Sequence, residues 1–275
     1  MIKVILTTNF SESARNAMLY AIQLFGSENT EYTIMNTLID SPTGNDGVLS
    51  VEKLESDENE KNLAADETFL RKVFPDKILK INKRSIYGHL TSAINELVED
   101  IGANYVVIGN KEKYDFEMGM LRAKTYEMID KINCPVLAIP AEREFKVNEG
   151  GLIFASDLNT IKKPDHLEPI IRIAQLHEVP IMVINIRKPE HKLTSDEENA
   201  GTQLHKIFSK VEHEFHQMEN EDVLNGIKNF VESNGSSLLV LLARKHNFFK
   251  RLTSQSLTKE MSRLAKMPLL ILHDY

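Results

Sequence analysis

The chain has 275 residues, of which 42% are hydrophobic and 27% are charged, and its formal net charge is −7. This balance is typical of a soluble globular protein with room for two domains, and the negative charge argues against nucleic-acid binding by the chain as a whole. No apolar run approaches the roughly 18 to 20 residues that span a bilayer. The opening MIKVILTTNFS also lacks a signal-peptide pattern, so we expect a cytoplasmic protein without a membrane segment.

Short apolar runs alternate with helical patterns through the first half of the chain. The alternation predicts strands at 4–6, 32–38, 78–81, 105–109 and 136–139, and helices at 13–25, 62–73, 89–101 and 121–132. This βαβ order predicts a parallel sheet with helices on both faces. Residues 40–61 hold seven acidic residues and two lysines, which is typical of a solvated loop or a disordered segment.

The second half repeats the same alternation. Strands are predicted at 152–155, 181–184, 211–215, 238–242 and 269–272, and helices at 164–176, 197–208, 222–232 and 256–264. Cys134, the only cysteine, lies between the end of a predicted helix and Pro135. We expect it to be a small buried residue rather than a reactive thiol.

The two halves are copies of each other. A shift of 133 residues aligns 94–139 with 227–272 without a gap, and a shift of 148 aligns the opening strands at 3–11 and 151–159. Self-similarity on this scale indicates an internal duplication. The expected domains are residues 1–142 and 149–275, joined by a linker near 141–150.

Three stretches carry a resemblance to a known family. They are TTNFS at 7–11 and the endings NCPVLAIP at 133–140 and KMPLLILH at 266–273. On these residues each half resembles a universal stress protein domain, and the chain resembles a tandem two-domain member. The resemblance implies an α/β fold: two tandem doubly wound five-stranded parallel-sheet domains, similar to adenine nucleotide alpha hydrolases. It also implies that the halves pack as a pseudo-dimer through their last strands.

Nucleotide-binding members of that family carry an acidic residue after the first strand and a Gly-x2-Gly-x9-Gly-Ser/Thr motif after the fourth. Glycines let backbone N–H groups approach phosphates. In the first half Asn9 takes the acidic position and Gly109 is kept, but Glu112 replaces the second glycine and Arg122-Ala123 replaces the closing pair. A like-charge contact at about 4 Å costs on the order of 1 kcal/mol, so we expect this copy not to bind ATP in the family's manner.

The second half has lost every glycine of the motif, with Leu242, Lys245 and Gln255-Ser256 in those places, yet Asp157 takes the acidic position. Residues 243–266 hold seven Lys or Arg and one Glu, a local field that attracts anions.

Two interpretations of this basic segment remain open. It is either a solvated helix or an anion or nucleotide site at a helix N-terminus. The candidate ligands in the second case, besides Asp157, are Lys245, Ser256, Thr258 and Lys259. Arg122 and Lys124 form a weaker basic cluster of the same kind in the first half.

Other residue patterns give weaker evidence for a functional site. The run HEFH at 213–216 lacks the HExxH spacing, and residues three apart in a strand point to opposite faces, so we expect no metal there. No Gly-x-Ser-x-Gly elbow and no Gly-x-Gly-x-x-Gly occurs, and no catalytic residue is identified.

The resemblance implies a non-enzymatic, cytoplasmic module that acts in regulation or interaction during stress, with a homodimer and an unknown protein partner expected. The alternative is a sensor that binds ATP, AMP or another anion in the second half, with slow hydrolysis at most. Nucleic acid is not an expected partner of the basic segment.

Overall fold

A computed structural model of the chain describes residues 1–38, 48–110, 131–141, 143–145, 151–235, 238–243 and 267–274. These residues form two compact units, the first built from residues 1–110 and 131–141 and the second from residues 143–274. The predicted linker falls largely outside the described residues, so the domain boundaries and the pseudo-dimer packing stay predictions. The predicted helices at 121–132 and 256–264 also fall almost wholly outside them.

The first unit is a parallel sheet with helices packed on it. Its elements in chain order are β1 (Ile2–Thr7), α1 (Glu12–Phe25), β2 (Thr30–Leu38), α2 (Val48–Val73), β3 (Lys80–Tyr87), α3 (Leu90–Ile101), β4 (Tyr105–Asn110) and β5 (Val136–Pro140). The strand order is β3-β2-β1-β4-β5, with parallel pairs throughout. The order reverses between β1 and β4, and sheets of this kind bind ligands at such a point, outside the carboxyl ends of the strands.

Apolar strands and a capped helix build the core of this unit. Val4, Ile5 and Leu6 of β1 are completely buried, as expected of a strand covered on both faces. Helix α1 begins after Ser11, whose hydroxyl accepts the N–H of Ala14, and it ends at Gly26 with φ of 70°. That left-handed conformation favours glycine at a helix end.

Two predictions in the first unit are wrong. Helix α2 begins at Val48 rather than near residue 62, so much of the segment predicted to be a loop is helical. Its glutamate and lysine residues are good helix formers, and Asn59 anchors the helix by donating a hydrogen bond to Ser85 at 2.6 Å. Strand β3 runs to Tyr87 instead of ending at residue 81, because its mostly polar sequence hid it; Ile78, which was assigned to it, is 86% exposed.

The second unit repeats the architecture. Its elements are β6 (Leu152–Ala155), a 3₁₀ helix (Pro164–Leu167), α4 (Glu168–His177), β7 (Ile181–Arg187), α5 (Ser195–Ile207), a 3₁₀ helix (Phe208–Lys210), β8 (His213–Glu219), α6 (Val223–Asn234), β9 (Leu238–Ala243) and β10 (Leu269–His273). The strand order β8-β7-β6-β9-β10 is again parallel. The predicted α/β fold with five-stranded parallel sheets is therefore confirmed. The strand predicted at 211–215 lies at His213–Glu219, so its ends are wrong by two and four residues.

Two further predictions can be compared with the described residues. Cys134 is buried, its thiol donates to the carbonyl of Ala103 at 3.6 Å, and burial raises its pKa to about 12. This agrees with a packing role, since a thiolate is the reactive form. Within the described ranges, no helix combines the length and apolar character needed to cross a membrane.

Candidate functional site

The turn after β1 lies at the carboxyl edge of the first sheet, where the strand order reverses. The hydroxyl of Thr8 accepts the N–H of Phe10 at 2.9 Å, and the side-chain oxygen of Asn9 accepts the N–H of Ser11 at 3.3 Å. Asn36, near the end of β2, donates to the carbonyl of Thr8 at 2.6 Å. Phe10 adopts φ of 62°, a left-handed conformation that is rare outside glycine.

The turn after β6 makes the same hydrogen bonds in the second unit. Ser156 accepts the N–H of Leu158 at 3.1 Å, and Asp157 accepts the N–H of Asn159 at 3.2 Å. Asn185, near the end of β7, donates to the carbonyl of Ser156 at 3.0 Å, and Leu158 has φ of 49°. The shift of 148 found in the sequence therefore holds for the bonds within the turn, whereas Asn36 and Asn185 are 149 residues apart. Asp157 takes the place of Asn9.

The two turns differ in the charge they present. Both Asn9 and Asp157 are exposed at the sheet edge. The amide of Asn9 also accepts the hydroxyl of Ser11 at 2.6 Å, whereas the carboxylate of Asp157 accepts the side-chain amide of Asn159 at 2.7 Å. Carboxylates form stronger, charge-assisted hydrogen bonds with hydroxyl and N–H donors. The second unit therefore offers an anionic acceptor where the first offers a neutral one.

A partly buried ion pair holds the first turn. Asp66 of α2 is completely buried, accepts the hydroxyl of Thr8 at 2.8 Å, and forms an ion pair with Nε of Arg15 at 2.7 Å. The guanidinium of Arg15 also lies 5.3 Å from the ring centre of Phe69, within range for a cation–π contact. This cluster joins α1, α2 and the turn, and it neutralises the cation that α1 brings there.

A neutral amide holds the longer connection of the second unit. Gln203 of α5 accepts the N–H of Ile161 at 3.0 Å and donates to its carbonyl at 2.9 Å. Asp274, which is completely buried after β10, accepts the N–H of Lys162 at 3.4 Å and Nδ1–H of His166 at 3.2 Å. Residues 156–163 are thus fixed at two points before the first 3₁₀ helix begins.

Gly109 has a packing role at the end of β4. A Cβ atom at this position would lie 2.5 Å from the carbonyl oxygen of Ser13 and 3.0 Å from Cα of Ala14. Helix α1 therefore packs directly onto the strand, and only glycine allows that approach. In the second unit the aligned residue is Leu242, which is 7% exposed. Eight residues separate β6 from the 3₁₀ helix that follows it, whereas four residues separate β1 from α1.

Only three predicted site residues can be placed: Asn9, Gly109 and Asp157. Asn9 and Asp157 occupy matching positions, and Gly109 lies against α1. The other predicted residues lie outside the described ranges, so their roles stay predictions: Glu112, Arg122, Lys124, Lys245, Ser256, Thr258 and Lys259.

Sequence reasoning missed Asp66, Arg15, Gln203 and Asp274, which hold the turns. One signal for Asp66 was available, because it shares a helix face with the buried Leu63 and Leu70 at spacings of three and four residues.

The two histidines of the run at 213–216 face different helices, as predicted. The ring of His213 contacts His205 of α5, with centroids 5.2 Å apart, while the ring of His216 contacts Phe230 of α6 at 5.0 Å. They cannot share one ion. Among the described residues, no group of three or more His, Cys, Asp or Glu side chains is placed to hold a metal.

Comparison with known proteins gives the family. The family model described as the universal stress protein family matches residues 1–140. A search of curated proteins gives no match. A universal stress protein from Archaeoglobus fulgidus DSM 4304 superimposes with a TM-score of 0.67 at 11% identity, over 99% of this chain and 96% of that one. A functionally unknown protein from Pseudomonas aeruginosa PAO1 gives 0.60 at 11% identity, over 99% and 92%.

A shorter solved structure matches part of the chain. The universal stress protein from Archaeoglobus fulgidus in complex with dAMP covers 44% of this chain and 96% of its own, with a TM-score of 0.34 and 16% identity. At these identities the solved structures show the fold alone, whereas the family model covers just over half of the chain. The chain belongs to the universal stress protein family.

Proposed function

We propose that the chain is a non-enzymatic cytoplasmic module of the stress response, acting in regulation or interaction, and that its first half does not hold a nucleotide. The observation that supports this most directly is the contact between Gly109 and α1. Gly109 is the one motif glycine left in the first half, and its lack of a side chain is needed for helix packing. Its presence is therefore no sign of a phosphate loop.

The charges around the first turn support the same proposal. Arg15, the cation that α1 brings there, is bound to the buried Asp66. Freeing it for a phosphate would leave the buried carboxylate of Asp66 without its cation, and because Arg15 is itself 36% exposed we expect this to cost about 2 to 4 kcal/mol. Glu112 adds a negative charge in the sequence after β4, so a polyphosphate has little to gain in this half.

Equilibrium dialysis of ATP and AMP against the full chain tests the proposal. We expect Asn9→Ala to leave any nucleotide retention unchanged, because the first turn is not a ligand site. Loss of retention in this variant would contradict the proposal. Phosphate release from ATP should be no faster with the protein than in buffer; steady turnover would instead establish an enzyme.

A second candidate function is an adenine-nucleotide or anion sensor in the second half. It is favoured by one observation, the carboxylate of Asp157 in a turn that matches the first bond for bond. Asp157 would accept ribose hydroxyls, and the basic segment at 243–266 would supply cations and the hydroxyl of Ser256. ATP or AMP is the expected ligand class.

This candidate has its own variants. Asp157→Ala should abolish retention of ATP, and so should Lys245→Glu combined with Ser256→Ala. Asn9→Ala is the matched control, since it changes the equivalent turn in the other half. If the wild-type chain retains no nucleotide at millimolar concentration, the sensor is excluded and the first proposal remains.

Self-association belongs to the same proposal. The halves are expected to associate through their last strands, and two chains to form a homodimer that binds an unidentified protein partner. Sedimentation equilibrium of the full chain tests the dimer: a single species of twice the chain mass is expected, and a monomer at all concentrations would refute it.

A further inference from the structure

Two histidines meet on the surface of the second unit. Nδ1 of His205, on α5, lies 3.0 Å from Nε2 of His213, on β8. The other ring nitrogen of His213, Nδ1, lies 2.9 Å from the carbonyl oxygen of Val211. Both rings belong to elements with regular backbone structure rather than to a long loop.

The carbonyl of Val211 fixes the tautomer of His213. A carbonyl oxygen only accepts hydrogen bonds, so Nδ1 of His213 carries the proton and Nε2 presents a lone pair towards His205. Histidines that bind metals usually donate their second ring N–H to a carbonyl or carboxylate in this way. His205 is exposed, so it can exchange tautomers through solvent and present Nδ1 as a second lone pair.

Aromatic packing holds the two rings in place. His205 stacks on Phe215 with centroids 4.0 Å apart and an interplanar angle of 30°. His213 lies edge-on to Phe215 at 6.1 Å and also contacts Phe208, which is completely buried. The nitrogen pair is therefore oriented before any ligand arrives, which reduces the ordering cost of binding.

We propose that His205 and His213 form a two-histidine binding site for a divalent copper ion. The two nitrogens lie 3.0 Å apart in a hydrogen bond, close enough for both to reach one ion at about 2.0 to 2.1 Å once the proton between them is lost. Imidazole nitrogens suit copper, and copper(II) binds most tightly in the divalent series.

The site is open. The described residues add no third side chain to the pair, so water or an external ligand occupies the remaining positions. The proposed pair, His205 and His213, is distinct from the two histidines of the run at 213–216, which face opposite sides of β8. It also does not depend on the nucleotide proposals, because it uses none of their residues.

Copper titration of the untagged full chain tests the site. In a competition assay, the dissociation constant of the tightest copper site should rise at least about tenfold in His205→Gln and in His213→Gln. Removing only the hydrogen-bond partner of a metal ligand already weakens metal binding by about tenfold or more, and these variants remove a ligand itself. His89→Gln is the matched control, because His89 is an exposed histidine in the first unit without a side-chain capping bond, and it should leave the constant unchanged.

Electron paramagnetic resonance gives an independent readout. The wild-type copper spectrum should show coupling to two imidazole nitrogens, and each single variant should show one fewer, with circular dichroism verifying that the fold is kept. Equal affinity in the wild type and in His205→Gln, or a spectrum that His213→Gln leaves unchanged, would overturn the proposal.

Discussion

The two halves of the molecule share a turn and differ in what holds it. The turns after β1 and after β6 share three kinds of hydrogen bond: a hydroxyl that accepts a backbone N–H, an Asx turn, and an asparagine of the next strand that donates to a carbonyl of the turn. Each turn also contains one residue with a left-handed backbone conformation. The first turn is then fixed by the ion pair of Asp66 and Arg15, and the second connection by the neutral Gln203 together with the buried Asp274.

This difference separates what the fold requires from what it leaves free. Buried backbone groups need hydrogen-bond partners wherever the chain turns, so the turn bonds have been kept in both copies. The clamps only need to join a helix to the turn, and an ion pair or an amide can do so. Residues that would face a ligand, such as Asn9 and Asp157, have diverged in charge.

Removing the clamps should give the largest difference between the halves. Asp66→Ala leaves Arg15 without its partner, and because Arg15 is about one-third exposed we expect a loss of about 2 to 4 kcal/mol of unfolding free energy. Gln203→Ala should cost about 1 to 2 kcal/mol, since only neutral bonds are lost. Urea-induced unfolding followed by circular dichroism measures both.

A double variant is the control for the ion pair. Arg15→Met with Asp66→Leu replaces both charges with apolar groups and should be less destabilised than Asp66→Ala alone. If the double variant is the less stable one, the ion pair itself contributes net stability and this account of the clamp is wrong.

A second pair of variants compares glycines that sit in opposite surroundings. Gly109→Ala places a Cβ against the backbone of α1 and should cost about 1 to 3 kcal/mol. Gly201, in the middle of α5, has nothing within 4 Å of such an atom, so Gly201→Ala should stabilise the chain by about 0.5 to 1 kcal/mol. Thermal unfolding of both variants beside the wild type measures the predicted loss and the predicted gain of stability. A Gly109→Ala variant as stable as the wild type would contradict the packing argument.

The helix caps provide a smaller and pH-dependent difference. In α5, Thr194 and Glu197 form a reciprocal capping box, whereas α1 has the hydroxyl of Ser11 alone. Thr194→Ala should cost about 1 kcal/mol. The hydrogen bond from the Thr194 backbone, followed by contacts with His191 and the Thr194 side chain, lowers the pKa of Glu197 below its usual 4.5.

The sign of the pH effect follows from that lowered pKa. A carboxyl whose folded pKa is depressed stabilises the protein above its unfolded value, and this contribution is lost as the pH falls through the folded value. Stability should therefore fall on acidification below about pH 4.5, and the slope should be shallower in Glu197→Gln. An equal slope in the wild type and in Glu197→Gln would show that the carboxylate of Glu197 does not contribute to the pH dependence of stability.

Cys134 offers a reporter for the first unit alone. Its raised pKa and burial predict very slow labelling by thiol reagents in the native chain at neutral pH. Asp66→Ala should speed the labelling by roughly tenfold for each 1.4 kcal/mol lost, while Gln203→Ala should leave it unchanged. Equal acceleration in both variants would mean that the two units open together.

Periodicity in the sequence was sufficient for the fold but not for every element. Apolar runs such as 105–109 and 238–242 identified central strands because burial on both faces requires them to be apolar. The start of α2 was missed because its polar residues resemble a loop, and β3 was misplaced because a strand with a polar face lacks that signal.

The site was only partly accessible to sequence reasoning. The shift of 148 correctly paired Asn9 with Asp157, because the turn they share follows a strand that both copies keep. The packing role of Gly109 depends on how closely α1 approaches β4, and the clamp of Asp66 depends on a residue 58 positions away in the chain. Neither distance is visible in a linear pattern.

The most direct test asks which half of the chain contacts a nucleotide. Irradiation of the full chain with 8-azido-ATP, followed by mapping of the labelled peptides, reads this without disturbing the protein. The account predicts label only in peptides of the second half, competed by unlabelled ATP, or no specific label at all. Competed labelling of peptides that contain Asn9 or Gly109 would contradict it.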